Sequence, residues 1–162
     1  MKRDRGFTMV ELLIAIEIIL IMVAIAFPQI RRAYASANEA SAAGSMRNIS
    51  QAQAQFKTAT FRDDDGDGEG DYASLAQLAN PDGAGTTPPF IDPALATGVK
   101  SGYRFLVTVT PGTVTSPPLY NCLAVPVDPG GTGYKIYYVD DSGVIRYTAD
   151  GSLAGPTAPP IS

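Results

Sequence analysis

Two carboxylates sit where water is scarce. Between Val10 and Phe27 the only charged residues are Glu11 and Glu17, and the stretch contains no Asn, Gln, Ser, Thr, Gly or Pro. An unpaired carboxylate in hydrocarbon is either costly or protonated, so each asks for a partner. Glu17 lies six residues, about 600° of helical rotation, beyond Glu11, so in a straight helix the two cannot share one partner. The second acidic cluster runs Arg62 to Asp71, RDDDGDGEGD. Asp63, Asp65, Asp67 and Gly68 follow the first half of an EF-hand loop, the Glu69 carbonyl comes next, and Asp71 falls at the ninth position. Ser74 stands at the twelfth, where a bidentate Glu ordinarily closes the shell. Two readings stay open: a weak calcium loop, or an exposed acidic turn that ends a helix.

Composition removes most other chemistry. With no His and one Cys among 162 residues, a His-based triad, a His-bearing zinc site, c-type haem attachment and an intrachain disulfide all fall away. No pairing of nucleophile and base is visible, so no enzyme is expected, and no cofactor beyond the calcium alternative. A formal charge of -4 with no basic run after Arg32 disfavours nucleic acid. Cys122 reads as a small buried hydrophobe. Tyr134, Tyr137, Tyr138 and Tyr147 read as strand and subunit-contact residues, not a ligand site. Asn48-Ile49-Ser50 has the form of a glycosylation acceptor but falls mid-helix.

The elements that carry these residues follow from their periods. Phe7 to Phe27 is 21 residues, about 31 Å as a helix and enough to cross a bilayer core. It is flanked by a basic head and by Arg31 and Arg32. Ala24-Ile25-Ala26 also fits a small-x-small cleavage site by composition. Pro28 predicts a kink or an unwound stretch. From Gln29 to Thr60 an amphipathic helix is expected, with a stripe at Ile30, Ala33, Ala37, Met46, Ile49, Ala52 and Phe56, and with Gly44 as its weak point. The two halves together would make about 54 residues, ~80 Å if continuous. No small domain buries that, so the first half must be covered by lipid or by other copies. Tyr72 to Leu78 predicts one or two helical turns and Asn80 to Thr97 a surface connection. The period then becomes two: Tyr103 to Thr110, Leu119 to Val127, and a hairpin of Tyr134 to Val139 with Val144 to Thr148. The fold class is α+β, a long helix packed by its outer half on a four-stranded antiparallel sheet.

The run Arg5-Gly6-Phe7-Thr8-Met9-Val10-Glu11-Leu12-Leu13, followed by the apolar stretch and Pro28, resembles the start of the type IV pilin and pseudopilin family. The resemblance implies a pilin-like shape and cleavage by a prepilin peptidase between Gly6 and Phe7, with N-methylation of Phe7. It divides the chain into a leader (1–6), a transmembrane and filament-core helix (7–28), an outer helix (29–60), a head with the sheet (61–150) and a flexible tail (151–162). Loss of Lys2, Arg3, Asp4 and Arg5 takes the formal charge from -4 to about -6. Glu11 then meets the new amine, its own or, as the family implies, a neighbour's. Glu17 departs from the family's apolar pattern, and either pairs with another helix or stays protonated. Pro28 marks where such helices melt on assembly. The implied function is a structural subunit of a type IV pilus or similar helical filament. Its partners would be further copies of itself, the peptidase and an assembly platform, in the bacterial inner membrane with a cytoplasmic amino terminus and then outside the cell. The alternative is a major pseudopilin of a type II secretion system, a periplasmic piston; the carboxy-terminal half lacks that group's Trp-bearing, calcium-binding pattern. A DNA-uptake pseudopilin and a minor tip subunit are further alternatives.

Overall fold

A computed structural model describes residues 7–161; the leader, with Gly6, lies outside them. The chain divides into two compact units, Met1–Tyr34 and Ala35–Ser162. Helix α1, Met9–Thr58, contributes to both. It stops two residues short of the expected end at Thr60. It also continues through Pro28 without the unwound stretch that was one of the two expected outcomes there. A proline removes one N–H and so frees only the Ala24 carbonyl, while its fixed φ is itself helical.

In the first unit every described side chain from Phe7 to Tyr34 is exposed. Its helical stretch is apolar enough and long enough to cross a membrane, and none of it is buried.

The second unit holds the core. After α1 come α2 (Leu75–Ala79) and α3 (Pro93–Ala96), then β1 (Val99–Lys100), β2 (Tyr103–Thr110), β3 (Leu119–Pro126), β4 (Ile136–Asp140) and β5 (Arg146–Thr148). The strands form an antiparallel meander in the order β1-β2-β3-β4-β5. The sheet thus has five strands, not four. The extra one is only two residues long, turned back through Ser101 and Gly102 at positive φ, and so shows no readable period. α3, begun by Asp92 accepting from the Leu95 N–H at 2.8 Å, sits inside the segment expected to be a plain connection. α2 opens with a reciprocal cap between Ser74 and Gln77.

Ala42, Met46, Ile49, Ala52 and Phe56 of α1 bury against Tyr103, Phe105, Tyr120, Cys122, Ala124, Tyr137 and Val139 of the sheet. The outer part of the expected stripe is therefore the core face, whereas Ile30, Ala33 and Ala37 are exposed. Two polar residues of α1, Ser45 and Gln53, are buried as well. Gln53 is fully buried, and its amide makes both bonds to the backbone of one residue: Nε2 donates to the Ala73 carbonyl at 2.6 Å and Oε1 accepts from the Ala73 N–H at 2.9 Å.

Nor is the tail loose. The Tyr147 N–H donates to the Pro159 carbonyl at 3.0 Å, and the Ile161 N–H to the Ile145 carbonyl at 2.9 Å. Arg146 donates from its side chain to the Ala158 carbonyl at 3.0 Å. Residues 158–161 thereby cover the free edge of β5, satisfying groups that an edge strand would otherwise present. Few apolar residues are needed for an attachment made by backbone bonds, which is why composition misses it.

Candidate functional site

The acidic residue at the start of α1 is held by its own helix. The first turn of a helix leaves N–H groups unpaired. Here the Thr8 backbone N–H donates to Glu11 Oε2 at 2.9 Å, the Thr8 hydroxyl donates to the same oxygen at 2.7 Å, and the Glu11 N–H donates to Thr8 Oγ1 at 3.3 Å. This is a reciprocal capping box. It fixes the Glu11 carboxylate against Thr8, the residue that follows Phe7, with Oε1 free of partners among the described residues. The Thr8-x-x-Glu11 spacing is the sequence signature of this box. Glu17 is exposed on the apolar helix and has no partner among the described residues. Pro28 is exposed there too.

The acidic loop is a second cluster, at the other end of α1. Gly70 lies so close to the helix end that a Cβ there would meet the Lys57 carbonyl oxygen at 2.0 Å, so only glycine lets the loop close. Its base is tied by the Asp71 N–H donating to the Arg62 carbonyl at 2.7 Å. Asp63, Asp65 and Asp67 offer carboxylate oxygens within 4.8 Å of one another. Partial desolvation raises the Asp65 carboxyl above its ordinary value, opposed by the Asp67 N–H it accepts and reinforced by the charges of Asp67 and Asp63. The loop also satisfies itself: Asp63 accepts from the Gly66 and Gly68 N–H groups at 2.7 and 3.0 Å, and Asp67 from the Glu69 N–H at 2.7 Å.

One of the expected calcium ligands, Asp71, is placed differently. Asp71 is buried and does not join the three; its oxygens accept from the Gly112 N–H at 2.8 Å and the Asp64 N–H at 2.9 Å. It pins the loop to the turn after β2 because those two N–H groups have no other partner there. The Glu69 side chain turns to Lys57 at 3.6 Å. Ser74 caps α2.

Cys122 is buried with its sulfur 3.6 Å from that of Met46, and burial pushes the thiol up to about 12. It is a packing residue, as expected. Tyr137 is likewise pushed up to about 12, by burial first and by Glu39 and Tyr147 next, and it packs at 6.0 Å from Tyr103.

Residues 1–27 match the family model described as the prokaryotic N-terminal methylation motif. This chain carries the type IV pilin and pseudopilin signature. The signature spans the start of α1, the Thr8–Glu11 box and the apolar run to Phe27, and with the helix-on-sheet second unit the chain has a pilin-like α+β architecture. It implies processing by a prepilin peptidase and assembly into pilus-type filaments, the work of a structural protein. The motif and the long apolar helix fit anchoring in the inner membrane. No curated protein and no solved structure matches the chain.

Proposed function

We propose that this chain is the repeated structural subunit of a type IV pilus or pilus-like filament. The observation that carries the reading is the pairing of two features in one helix. Every described residue from Phe7 to Tyr34 is exposed in the single chain, and among the described residues the only organised polar group at its start is the Thr8–Glu11 box. Such a surface is stable only under lipid or under other copies of itself. Cleavage between Gly6 and Phe7 would create an amine on the residue before Thr8, whose N–H and hydroxyl bind the Glu11 carboxylate. In a dry environment a cation and a carboxylate pair or are neutralised. Glu11 can exchange its two Thr8 donors for the amine of a neighbouring Phe7, so that entry into the filament is registered by one charge pair per subunit. Glu17 faces away from that contact and, in this reading, pairs elsewhere in the helix bundle or stays protonated; Pro28 is the weak point of the ladder. Weak calcium binding by the loop at Asp63, Asp65 and Asp67 is a separate and subsidiary proposal, supported by the convergence of their oxygens.

The test is electron microscopy of filaments sheared from producing cells, with the subunit identified by mass. Long extracellular filaments built of this chain support the pilus. Filaments confined to the periplasm, with loss of exported proteins on deletion, support the secretion pseudopilin instead.

A further inference from the structure

The two borders of the sheet are not alike. Along β5 the strap of residues 158–161 turns no free donor outward: the Ala158 N–H is bound to the Gly155 carbonyl, Pro159 and Pro160 have none, and the Ile161 N–H is bound to Ile145. At the other border β1 is closed as well. Its outward residue is Val99, whose N–H and carbonyl are both met by the Thr97 hydroxyl at 3.4 Å.

β2 runs on past the end of β1. The Val127 N–H donates to the Gly102 carbonyl at 2.9 Å, and the Phe105 N–H donates to the Gly98 carbonyl at 2.8 Å. Backbone groups alternate sides along a strand, so the even-numbered residues of β2 bond toward β3 and the odd-numbered ones toward β1. β1 itself reaches only Tyr103 and Arg104, and Gly98 serves Phe105. The next two odd residues, Val107 and Val109, therefore point their N–H and C=O groups off the sheet, and no hydrogen bond meets them among the described residues. The segment Leu106–Thr110 reads LVTVT, with no charge and no proline, and Leu106, Thr108 and Thr110 are exposed. Sheet edges are ordinarily guarded by charge, proline, a bulge or a cover. The β5 and β1 borders have such guards and this one lacks them.

A second copy of the chain brings the same open edge, and the pattern is complementary to itself. About a two-fold axis at Thr108, Val107 of each copy lies opposite Val109 of the other, and each such pair exchanges both N–H···O=C bonds. Thr108 then faces its own counterpart on the outer face, a favourable cross-strand pair. Moving the axis to Val107 sets Val109 against Phe105, already bound to Gly98. Moving it to Val109 sets Val107 against Pro111, which has no N–H. The register centred on Thr108 alone uses all the open groups.

We propose that Leu106–Thr110 pairs antiparallel with the same segment of a second copy, joining two five-stranded sheets into one. The contact is isologous and closes on itself, so it does not extend a filament. It ties the heads of two neighbouring filaments side by side. That lateral role rests on the filament reading above; the strand pairing does not.

The test uses the full chain, solubilised from membranes in detergent and recovered in sheared filaments. Thr108→Cys places two thiols on a pair whose Cα atoms are ~4.5 Å apart, within the span of a disulfide. The expected result on a non-reducing gel is a disulfide-linked dimer and nothing larger. Leu106→Cys, ~13 Å from its own counterpart in this register, should stay monomeric; Cys122 is buried and does not compete. By microscopy, Thr108→Lys sets like charges opposite each other and should turn bundled filaments into single ones, whereas Thr108→Val should keep the bundles. Co-expression of Thr108→Lys with Thr108→Glu should restore them. Filaments whose Thr108→Cys subunits stay monomeric, equal dimer from Leu106→Cys, or bundles unchanged by Thr108→Lys overturn this contact and leave the filament reading intact. A Thr108→Cys dimer from a chain that makes no filament overturns the filament reading and leaves the strand pairing.

Discussion

Replacing Gln53 with Leu keeps the volume and burial of the side chain but removes both of its bonds to Ala73. Ala73 is itself fully buried, so its N–H and carbonyl would lose their partners without gaining water. Each buried unsatisfied group costs about 1–3 kcal/mol, and the added apolar burial offsets roughly 1 kcal/mol. For the two groups together the net destabilisation is then about 1–5 kcal/mol, centred near 3. For a unit of this size 1 kcal/mol corresponds to about 3–5 °C, giving a fall of ~10 °C in the melting temperature. Thermal unfolding followed by circular dichroism, on a soluble fragment beginning near Gln29, reads this directly. The exposed Gln51→Leu serves as control and should change little. A Gln53→Leu fragment melting within ~2 °C of the parent would refute the reasoning, because the amide would then be replaceable by water or by relaxation around Ala73. The loss also reaches the acidic loop, which is strung between the end of α1 and Ala73, so the variant should be cut by protease near Asp67 sooner than the parent.

Glu11→Gln should leave membrane insertion and leader cleavage intact but sharply reduce filament number when no wild-type subunit is present, as counted by microscopy, whereas Glu17→Leu should be much milder; equal filament numbers in Glu11→Gln would show that its charge is not needed. Asp82 accepts from the Gly85, Thr86 and Thr87 N–H groups and the Thr86 hydroxyl, bonds that hold its carboxyl far below the ordinary 3.8. A depressed carboxylate contributes stability that is present above the unfolded value and lost only as pH falls through the folded one. The loop from Asn80 to Thr87 should therefore keep its amide protection at pH 3, while Asp82→Asn loses it already at pH 7, as hydrogen exchange would record. Calorimetric titration of the same soluble fragment should show calcium binding at ~0.1–1 mM, abolished by Asp65→Ala and accompanied by a raised melting temperature; no heat at millimolar calcium would leave the loop as an acidic turn.

What could be read from the sequence was local. The apolar run Phe7 to Phe27 declares itself by composition, and the α1 positions Met46, Ile49, Ala52 and Phe56 by their period; all four are buried. Ile30, Ala33 and Ala37 continue the same period yet lie exposed, because a helical stripe is buried only where another element meets it. Gln53 interrupts the pattern as a polar residue, and its partner is twenty residues away, so no window of helical length contains the reason for its burial. The same holds for Asp71. Its spacing fits a calcium loop, but its carboxylate is claimed by Gly112 across the fold, which local spacing cannot show. The strand β1 and the tail over β5 are built from backbone bonds with little side-chain pattern. At the proposed assembly site the type of residue was legible at Glu11, and so was its need for a partner. The missing half was Thr8, three residues upstream, whose role is a matter of helix-end geometry.

The central claim is that this chain is cut at Gly6, exposes an amine on Phe7 and is built into a filament through its apolar helix. Intact-mass spectrometry of the subunit recovered from sheared filaments tests it most directly. The account predicts one species that begins at Phe7 and carries one added methyl group. A filament subunit that begins at Met1, or that has been cut after Ala26 and so lacks the whole apolar stretch, would contradict it.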